Sequence, residues 1–443
     1  MLAANLTRLV AAGAVVVFAL WFRVEYQATT MEYVQMGSDA GQYSHIASNL
    51  LEHGIYSMAK PDVANPSPDS YRSPGYPVMV AFAMWLAGDQ PWQHRLFYMQ
   101  AVLGALSVAL TIAIARRWLP FAYAITAGLL VAVWPHMVTL SSNILTETLF
   151  GFTLLLSIYL LCKAQSSRQR IWYALAGFSF AAAALTNPAI LPFPVLIGAY
   201  LLFLKRKYAL LFIACTLLFP LAWGARGLML DADRSASGRL LENVLVGMDP
   251  DFSYLDTSEA VKARLRFHEE FARFQQDPLG GTKMILDRFA DKPGFYAKWY
   301  FLQKPAQLWQ WSIIQGVGDI YVYPVMFPAF KIQPFFRLIA SICYSLNVWL
   351  FAAAICSALV LATRVVRGSL QDKDATQVLV ALVFVYATAL YMILAPDPRY
   401  AAPFRPFEIL MAVSFVALAH QYWNAKKAER ELQDAKSVTV LKG

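Results

Sequence analysis

Long apolar runs separated by short basic turns make up most of this chain, and three polar or irregular stretches interrupt them. Runs long enough to cross a bilayer recur at 6–26, 93–115, 119–138, 142–162, 171–187, 189–204, 208–226, 337–362, 376–395 and 406–424. That is about ten spans if the hydrocarbon core is ~30 Å thick. The pattern predicts an all-α polytopic membrane protein forming a single membrane domain over 1–443, with no separate soluble domain. Proline clusters at Thr186-Asn187-Pro188, Pro192 and Pro194, which membrane helices tolerate where neighbours re-satisfy the freed backbone groups. The interruptions are 27–91, 227–336 and 395–406.

Within the first interruption, Tyr43, Ile46, Ala47, Leu50 and Leu51 recur at helical spacing opposite Gln42, His45, Asn49 and Glu52. This helix ends at Gly54, too short and too polar to span, and is expected to lie in the interface. The run Tyr76–Gly88 is also short. Reading it as a span would move every later basic cluster to the opposite side, so it is expected to be a second interfacial or re-entrant helix, with Trp85 and Trp92 in the aromatic belt. In the second interruption, Asp256-Thr257-Ser258-Glu259 resembles a capping box ahead of an apolar-studded helix through Val261, Leu265, Phe271 and Phe274. Beyond it, Trp299, Tyr300, Lys304, Trp309, Trp311, Tyr321 and Tyr323 have the aromatic density of a segment at headgroup level.

Charge adds the orientation. Basic clusters sit at Arg116-Arg117, Lys163–Arg170, Lys205-Arg206-Lys207, Arg364–Lys373 and Lys426–Arg430, each just beyond an apolar run, where the positive-inside rule places the cytoplasm. Both termini are then cytoplasmic and all three interruptions fall on the far side. The net charge of +9 therefore reports topology, not a nucleic-acid partner. Only 15% of residues are charged and 58% are hydrophobic, against about a quarter charged in soluble domains. The four cysteines, Cys162, Cys215, Cys343 and Cys356, all fall in apolar runs and read as packing residues, not a disulfide framework or metal site. The first run lacks an A-x-A cleavage site and is taken as a retained span. HExxH, GxSxG and P-loop patterns are missing, which argues against a protease, an ATPase or a redox enzyme.

The stretch from Gly37 to Pro77 is the most polar long piece of the first half. It carries an acid at a helix start, Asp39, then Tyr43, and then the basic, aromatic turn Tyr71-Arg72-Ser73-Pro74-Gly75-Tyr76-Pro77. With TETLF (Thr146–Phe150), TNP (Thr186–Pro188) and RYAAPFRP (Arg399–Pro406), this arrangement resembles the GT-C superfamily of integral membrane glycosyltransferases. The resemblance is to the polyprenyl-phosphate-sugar-dependent branch that includes aminoarabinose transferases and protein O-mannosyltransferases. It covers nearly the whole membrane part in order and topology. It implies a polyprenyl phosphate-sugar donor, inverting transfer, and a catalytic acid in the first outer loop, here Asp39. It also implies a bacterial inner membrane setting with the active site on the extracytoplasmic face. Many relatives carry a second acid directly after the first, where this chain has Ala40. A divalent cation is thus possible but unsupported, and no metal ligand or required cofactor is assigned.

The chemistry implied is modest. Phosphate is already a good leaving group, so the reaction needs one base for the acceptor hydroxyl and cations for the departing phosphate. Asp39 and Arg72 supply that minimum, Arg72 on a Pro-Gly turn suited to bidentate phosphate binding. Against these stand plainer roles: Asp39 as an N-cap with Gln42 completing a capping box, and Arg72 as an anchor to lipid headgroups. Tyr43, Tyr71 and Tyr76 join the candidate substrate site. So do Arg399 and Lys304, which with Arg405 are also ordinary interface charges. Glu147, at the mouth of an apolar span, is either functional or a hydrogen-bonding helix contact. His45 reads as a polar-face residue, and Asn187 and Pro188 as a turn. The expected partners are membrane lipids, the lipid-linked donor and a glycan, lipid or protein acceptor. The rival readings are a transporter or flippase for a lipid-linked saccharide, and a polysaccharide polymerase or ligase.

Overall fold

The computed structural model describes residues 2–30, 39–88, 90–230, 236–253, 257–371 and 374–440. Gly37 and Ser38 of the polar stretch, Asp256 of the expected capping box and Lys373 of the fourth basic cluster lie outside these residues. Among the described residues the chain is helical, apart from one isolated bridge between Gly318 and Tyr321. A helix satisfies its backbone polar groups within itself, which a lipid environment demands.

From the N-terminus, α1 (Leu2–Thr29) is followed by the short pair α2 (Asp39–Glu52) and α3 (Gly75–Ala87). Then come α4 (Trp92–Ala115), α5 (Phe121–Val133), α6 (Pro135–Leu140), α7 (Glu147–Ser167), α8 (Arg170–Thr186), α9 (Pro192–Phe203) and α10 (Ala209–Leu228). The second interruption holds α11 (Ala236–Met248), α12 (Ser258–Gln276), α13 (Pro278–Asp291), α14 (Pro293–Lys298), a π-helical stretch Trp299–Gln303, α15 (Lys304–Trp309) and α16 (Ala329–Ile332). The chain closes with α17 (Pro334–Val366), α18 (Ala375–Ile393), α19 (Pro398–Ala401) and α20 (Arg405–Val440).

Among the described residues, seven helical runs are long and apolar enough to cross a membrane: α1, α4, α7, α10, α17, α18 and the run through α19 and α20. The chain is a membrane protein. The count of about ten spans reckoned on a ~30 Å core is approximate because proline shortens the rest. Trp134 is extended ahead of Pro135, so α5 stops after 13 residues, and α9 keeps only 12 residues behind Pro188, Pro192 and Pro194. At 13 residues, α3 reaches only about 20 Å and is too short to span, as its length in the sequence suggested.

Packing is by close approach of small residues, as in membrane bundles. α7 packs on α8, α8 on α10, α17 on α20, and α4 on α1, α5 and α7. A Cβ on Gly177 would lie 2.6 Å from the Phe212 carbonyl oxygen and 2.7 Å from Cys215 Cβ, so only glycine lets α8 meet α10. Large apolar side chains face outward instead, including Leu9, Val17, Leu218, Val348, Trp349 and Leu359, as a lipid-facing surface requires. Arg117 gathers one end of the bundle, with Nη2 donating to the Cys162 carbonyl at 2.9 Å and the Ser166 hydroxyl at 2.8 Å. That end carries the basic clusters beside α4, α7 and α18, whereas Glu147 and Arg399 sit at the other ends of α7 and α18.

Several sequence expectations change. Leu51 is exposed, while Asn49, expected on the polar face of α2, is buried. Its amide donates to the Ser57 and Ala59 carbonyls at 2.9 and 2.8 Å and pins the loop behind the helix. Cys356 is exposed, unlike the other three cysteines. Of the aromatic segment read as lying at headgroup level, Trp299, Trp309, Tyr321 and Tyr323 are buried. Trp309 donates to Thr388 Oγ1 at 3.1 Å and so plugs into α18. Thr257 caps α12 by accepting from the Ala260 N–H, and Glu259 accepts from the Ser258 hydroxyl.

Substituting Gly177 by valine is expected to lower the thermal midpoint of the detergent-solubilised protein, since overpacking at a helix crossing costs about 1–3 kcal/mol. A midpoint equal to wild type by intrinsic tryptophan fluorescence would show that α8 and α10 can separate without loss.

Candidate functional site

Four separated stretches meet at the start of α2. Asp39 is the first residue of that helix, yet neither carboxylate oxygen serves as a cap. Oδ1 accepts from Arg72 Nη2 at 2.5 Å and Oδ2 from Arg399 Nη2 at 2.9 Å. Arg399 Nε in turn donates to Glu147 Oε1 at 2.5 Å. Charges therefore alternate along Arg72–Asp39–Arg399–Glu147. The capping-box reading fails for a physical reason: Gln42 Oε1 also turns to Arg72, accepting from Nε at 2.7 Å.

Each member is held by its own element. Arg72 extends from the turn before α3, its Nη1 donating to Tyr43 Oη at 3.3 Å and its carbonyl accepting from Tyr56 Oη at 2.8 Å. Gly75 allows this turn to approach the end of α8, because a Cβ there would fall 2.6 Å from Thr186 Oγ1 and 2.9 Å from the Leu185 carbonyl. The RSPGYP and TNP motifs are thus one contact. Arg399 is fixed through Asp397, whose buried carboxylate accepts from the backbone N–H groups of Ile314, Gln315 and Arg399 at 2.9, 2.7 and 2.8 Å. Burial opposes the ionised form of Asp39, but the guanidiniums of Arg72, Arg399 and Arg239 outweigh it and hold the carboxyl well below the usual carboxylate range.

Two cavities meet at this cluster. The larger, about 820 Å³, is lined by Asp39, Arg72, Tyr71 and Arg399 with residues of α11, α12 and the 315–324 loop. The second, about 460 Å³, runs between α7, the TNP turn, α9 and α18, and is walled mainly by apolar groups such as Phe150, Pro192, Leu390 and Leu394. Asp39, Arg399, Tyr400, Arg239 and Asn243 line both. Among the described residues no group of three or more His, Cys, Asp and Glu side chains is placed to hold a metal ion.

Of the residues singled out in the sequence, Asp39, Arg72, Tyr43, Tyr71, Glu147 and Arg399 line one or both cavities. Tyr71 donates to Glu242 Oε2 at 2.7 Å, and burial together with that carboxylate pushes its phenol up to about 12. Tyr76 lies behind the site: its ring meets Tyr43 edge-on at 5.0 Å and its hydroxyl donates to Gln100 at 3.0 Å. Lys304 is not brought to the site. Its ammonium is buried against the C-terminal end of α18, donating to the Met392 and Leu394 carbonyls at 2.8 and 3.0 Å, and burial lowers its pKa to about 7. Arg405 is likewise structural, paired with Glu408 at 2.7 Å and bonded to the Trp309 and Gln310 carbonyls.

The reading of the sequence missed Arg239, Glu242 and Asn243. They lie at i, i+3 and i+4 on α11 and line the larger cavity together, a polar stripe that was there to be noticed. Gln315 and His268 were also missed, and no local pattern marks them; Tyr400 stands in the RYAAPFRP motif but was given no role of its own.

Residues 71–223, less than half of the chain, match the family profile described as dolichyl-phosphate-mannose-protein mannosyltransferase. Among curated proteins none matches the sequence. The oligosaccharyltransferase of Archaeoglobus fulgidus superposes at a TM-score of 0.52 with 13% identity, covering 96% of this chain and 52% of its own. The chain has the GT-C fold. A second structure of that GT-C protein, AglB in complex with an inhibitory peptide and a dolichol-phosphate, gives a TM-score of 0.51 at 13% identity, covering 97% and 52%. ArnT from Cupriavidus metallidurans, bound to undecaprenyl phosphate, gives 0.42 at 15% identity over 92% of this chain and 76% of its own. The chain spans about half the length of the archaeal oligosaccharyltransferase it matches.

Replacing Lys304 by methionine is expected to destabilise the protein by about 1–3 kcal/mol, because the carbonyls at the end of α18 lose their donor. Thermal unfolding checks this; stability equal to wild type would show that the ammonium does not hold the end of α18.

Proposed function

We propose that the protein is an inverting glycosyltransferase that moves a sugar from a polyprenyl phosphate to a hydroxyl of a cell-envelope acceptor on the extracytoplasmic face. The observation that carries this is the Asp39–Arg399 pair on the wall shared by a polar cavity and an apolar one. A lipid-linked sugar is itself polar at one end and apolar at the other, with a phosphate between. The apolar cavity suits the polyprenyl chain and the larger one the sugar and the acceptor. The family profile over 71–223 and the dolichol-phosphate held by AglB, which shares the fold, support a lipid phosphate as donor. The basic clusters at the opposite end of α7 and α18 support an outward-facing site.

The cation roles follow from position. Arg399 and Arg239 line both cavities and would meet a phosphate at the junction. Arg239 forms no ion pair among the described residues; its guanidinium lies 5.9 Å from the centroid of the Tyr71 ring, so its charge is available without breaking an ion pair. Arg72 lines only the larger cavity and spends its N–H groups on Gln42, Tyr43 and Asp39. It acts mainly by orienting the carboxylate, a shift from the phosphate clamp that its turn suggested.

Asp39 would take the proton as the acceptor oxygen attacks the anomeric carbon and the bond from that carbon to the phosphate oxygen breaks. The new glycosidic bond forms on the opposite face, and polyprenyl phosphate leaves with its electron pair. A carboxylate gripped by two guanidiniums is a poor base in the empty site. An arriving phosphate draws on Arg399 and Arg239 and adds negative charge nearby, and both effects raise the pKa of Asp39. Donor binding would thus switch the base on.

Two experiments follow, with the protein in lipid nanodiscs and a panel of polyprenyl phosphate-sugars, reading release of polyprenyl phosphate. Asp39→Asn should bind donor at least as tightly as wild type but lose about 10²–10⁴ in kcat. Arg239→Ala should weaken donor binding about tenfold or more, the worth of a charge-assisted hydrogen bond. An Asp39→Asn protein that turns over normally would reduce Asp39 to a structural ion-pair partner, and vectorial movement of intact donor would favour the flippase reading. In the pH profile, the acid limb of kcat/KM reports the free enzyme and that of kcat the donor complex. The limb in kcat should lie at higher pH by about one unit or more. Coincident limbs would mean that the phosphate does not act on Asp39.

A further inference from the structure

The larger cavity has a second wall that the transfer reaction does not use. On α12, Phe267 and Phe271 sit one turn apart with their rings stacked, centroids 5.8 Å apart and 23° between planes. Phe252 abuts Phe267 edge-on at 5.7 Å. All three line the larger cavity and none lines the apolar one. Three carboxamides share that cavity, each anchored at one end. Gln42 Oε1 accepts from Arg72 at 2.7 Å, Gln315 Oε1 accepts from Tyr400 at 2.9 Å, and Asn243 Nδ2 donates to the Arg239 carbonyl at 2.9 Å. The opposite ends, Nε2 of Gln42 and Gln315 and Oδ1 of Asn243, have no hydrogen-bond partner among the described residues.

We infer that this wall is a pyranose-binding subsite and that the acceptor is therefore a saccharide, or the saccharide part of a larger molecule. A pyranose ring presents a C–H face, which packs on an aromatic ring, and an edge of hydroxyls that both donate and accept. A ladder of phenyl rings beside pre-oriented neutral amides answers both needs at once, with each amide's orientation already fixed by its anchored end. An acyl chain would leave the amides unpaired in the contact, at a cost for each. A peptide acceptor would need partners for a run of backbone groups, and the described cavity wall offers no strand edge. This inference rests on the transferase reading for the word acceptor, but the subsite itself does not.

The test uses the full chain in nanodiscs and saturation-transfer NMR with a panel of methyl pyranosides, alone and with saturating undecaprenyl phosphate. Pyranosides are expected to bind wild type in both conditions. Phe267→Leu/Phe271→Leu, which keeps apolar bulk but removes the rings, should weaken them about tenfold. Phe271→Trp should retain them, and all three proteins should bind undecaprenyl phosphate alike, which shows that the fold survives. Absence of pyranoside binding, affinity unchanged in the double leucine variant, or displacement by a serine-containing peptide would each overturn the inference. Displacement by a polyprenyl phosphate-sugar but not by undecaprenyl phosphate would assign the ring to the donor and overturn the acceptor assignment. Failure of undecaprenyl phosphate to bind wild type would instead count against the donor reading, so the two failures are separable.

Discussion

A carboxylate cannot stand alone beside a low-dielectric bundle. Removing one partner of a buried ion pair costs about 3–5 kcal/mol, a figure that applies to Arg399 and Glu147, with side chains 9% and 6% exposed, whereas Asp39 at 29% is partly screened by solvent. Their chain of pairs joins the first outer loop, the start of α7 and the last loop, regions far apart in sequence. Asp397 adds the 312–323 segment by taking the backbone N–H groups of Ile314 and Gln315. The network shares this task with an apolar cluster that runs through Tyr43, Tyr76, Ile144, Ile313, Val322 and Ala402 and so joins the same stretches.

The same network sets the boundary between two environments. On one side lie prolines and aliphatic residues of α9 and α18; on the other lie amides, guanidiniums and the aromatic face of α12. The proposed reaction uses this contrast, since its donor carries a hydrocarbon tail and a charged head. It also gives the ion pairs a second use. Under that proposal, guanidiniums that neutralise carboxylates would turn to the arriving phosphate, so the basicity of Asp39 would be conditional on donor binding.

The outer segment 236–309 completes the site without touching the spanning core at most of its length. Asp249 accepts from Arg266 at 2.5 Å, and Arg288 pairs with Glu270 at 3.1 Å. These contacts tie α11, α12 and α13 to one another, so that Arg239 on α11 and the phenyl rings of α12 face the cluster as one unit.

Much of this was written in one dimension. Apolar runs of bilayer length specify spanning helices through local energetics alone, the cost of an unpaired peptide group in lipid. Asp39, Arg72 and Glu147 stood out for the same local reason, being charged or helix-starting residues where an apolar chain needs none. Partnership was not local. Arg72 could anchor to lipid or hold Asp39, Lys304 could reach a substrate or three carbonyls of α18, and Asn49 could face water or pin a loop; each choice depends on which distant backbone comes within about 3 Å. The missed polar stripe of α11 had a legible period but no sign of what it faced. Helix identity follows from the sequence because it is summed over many residues, whereas the site is decided by a few hydrogen bonds that exist only once the tertiary structure has closed.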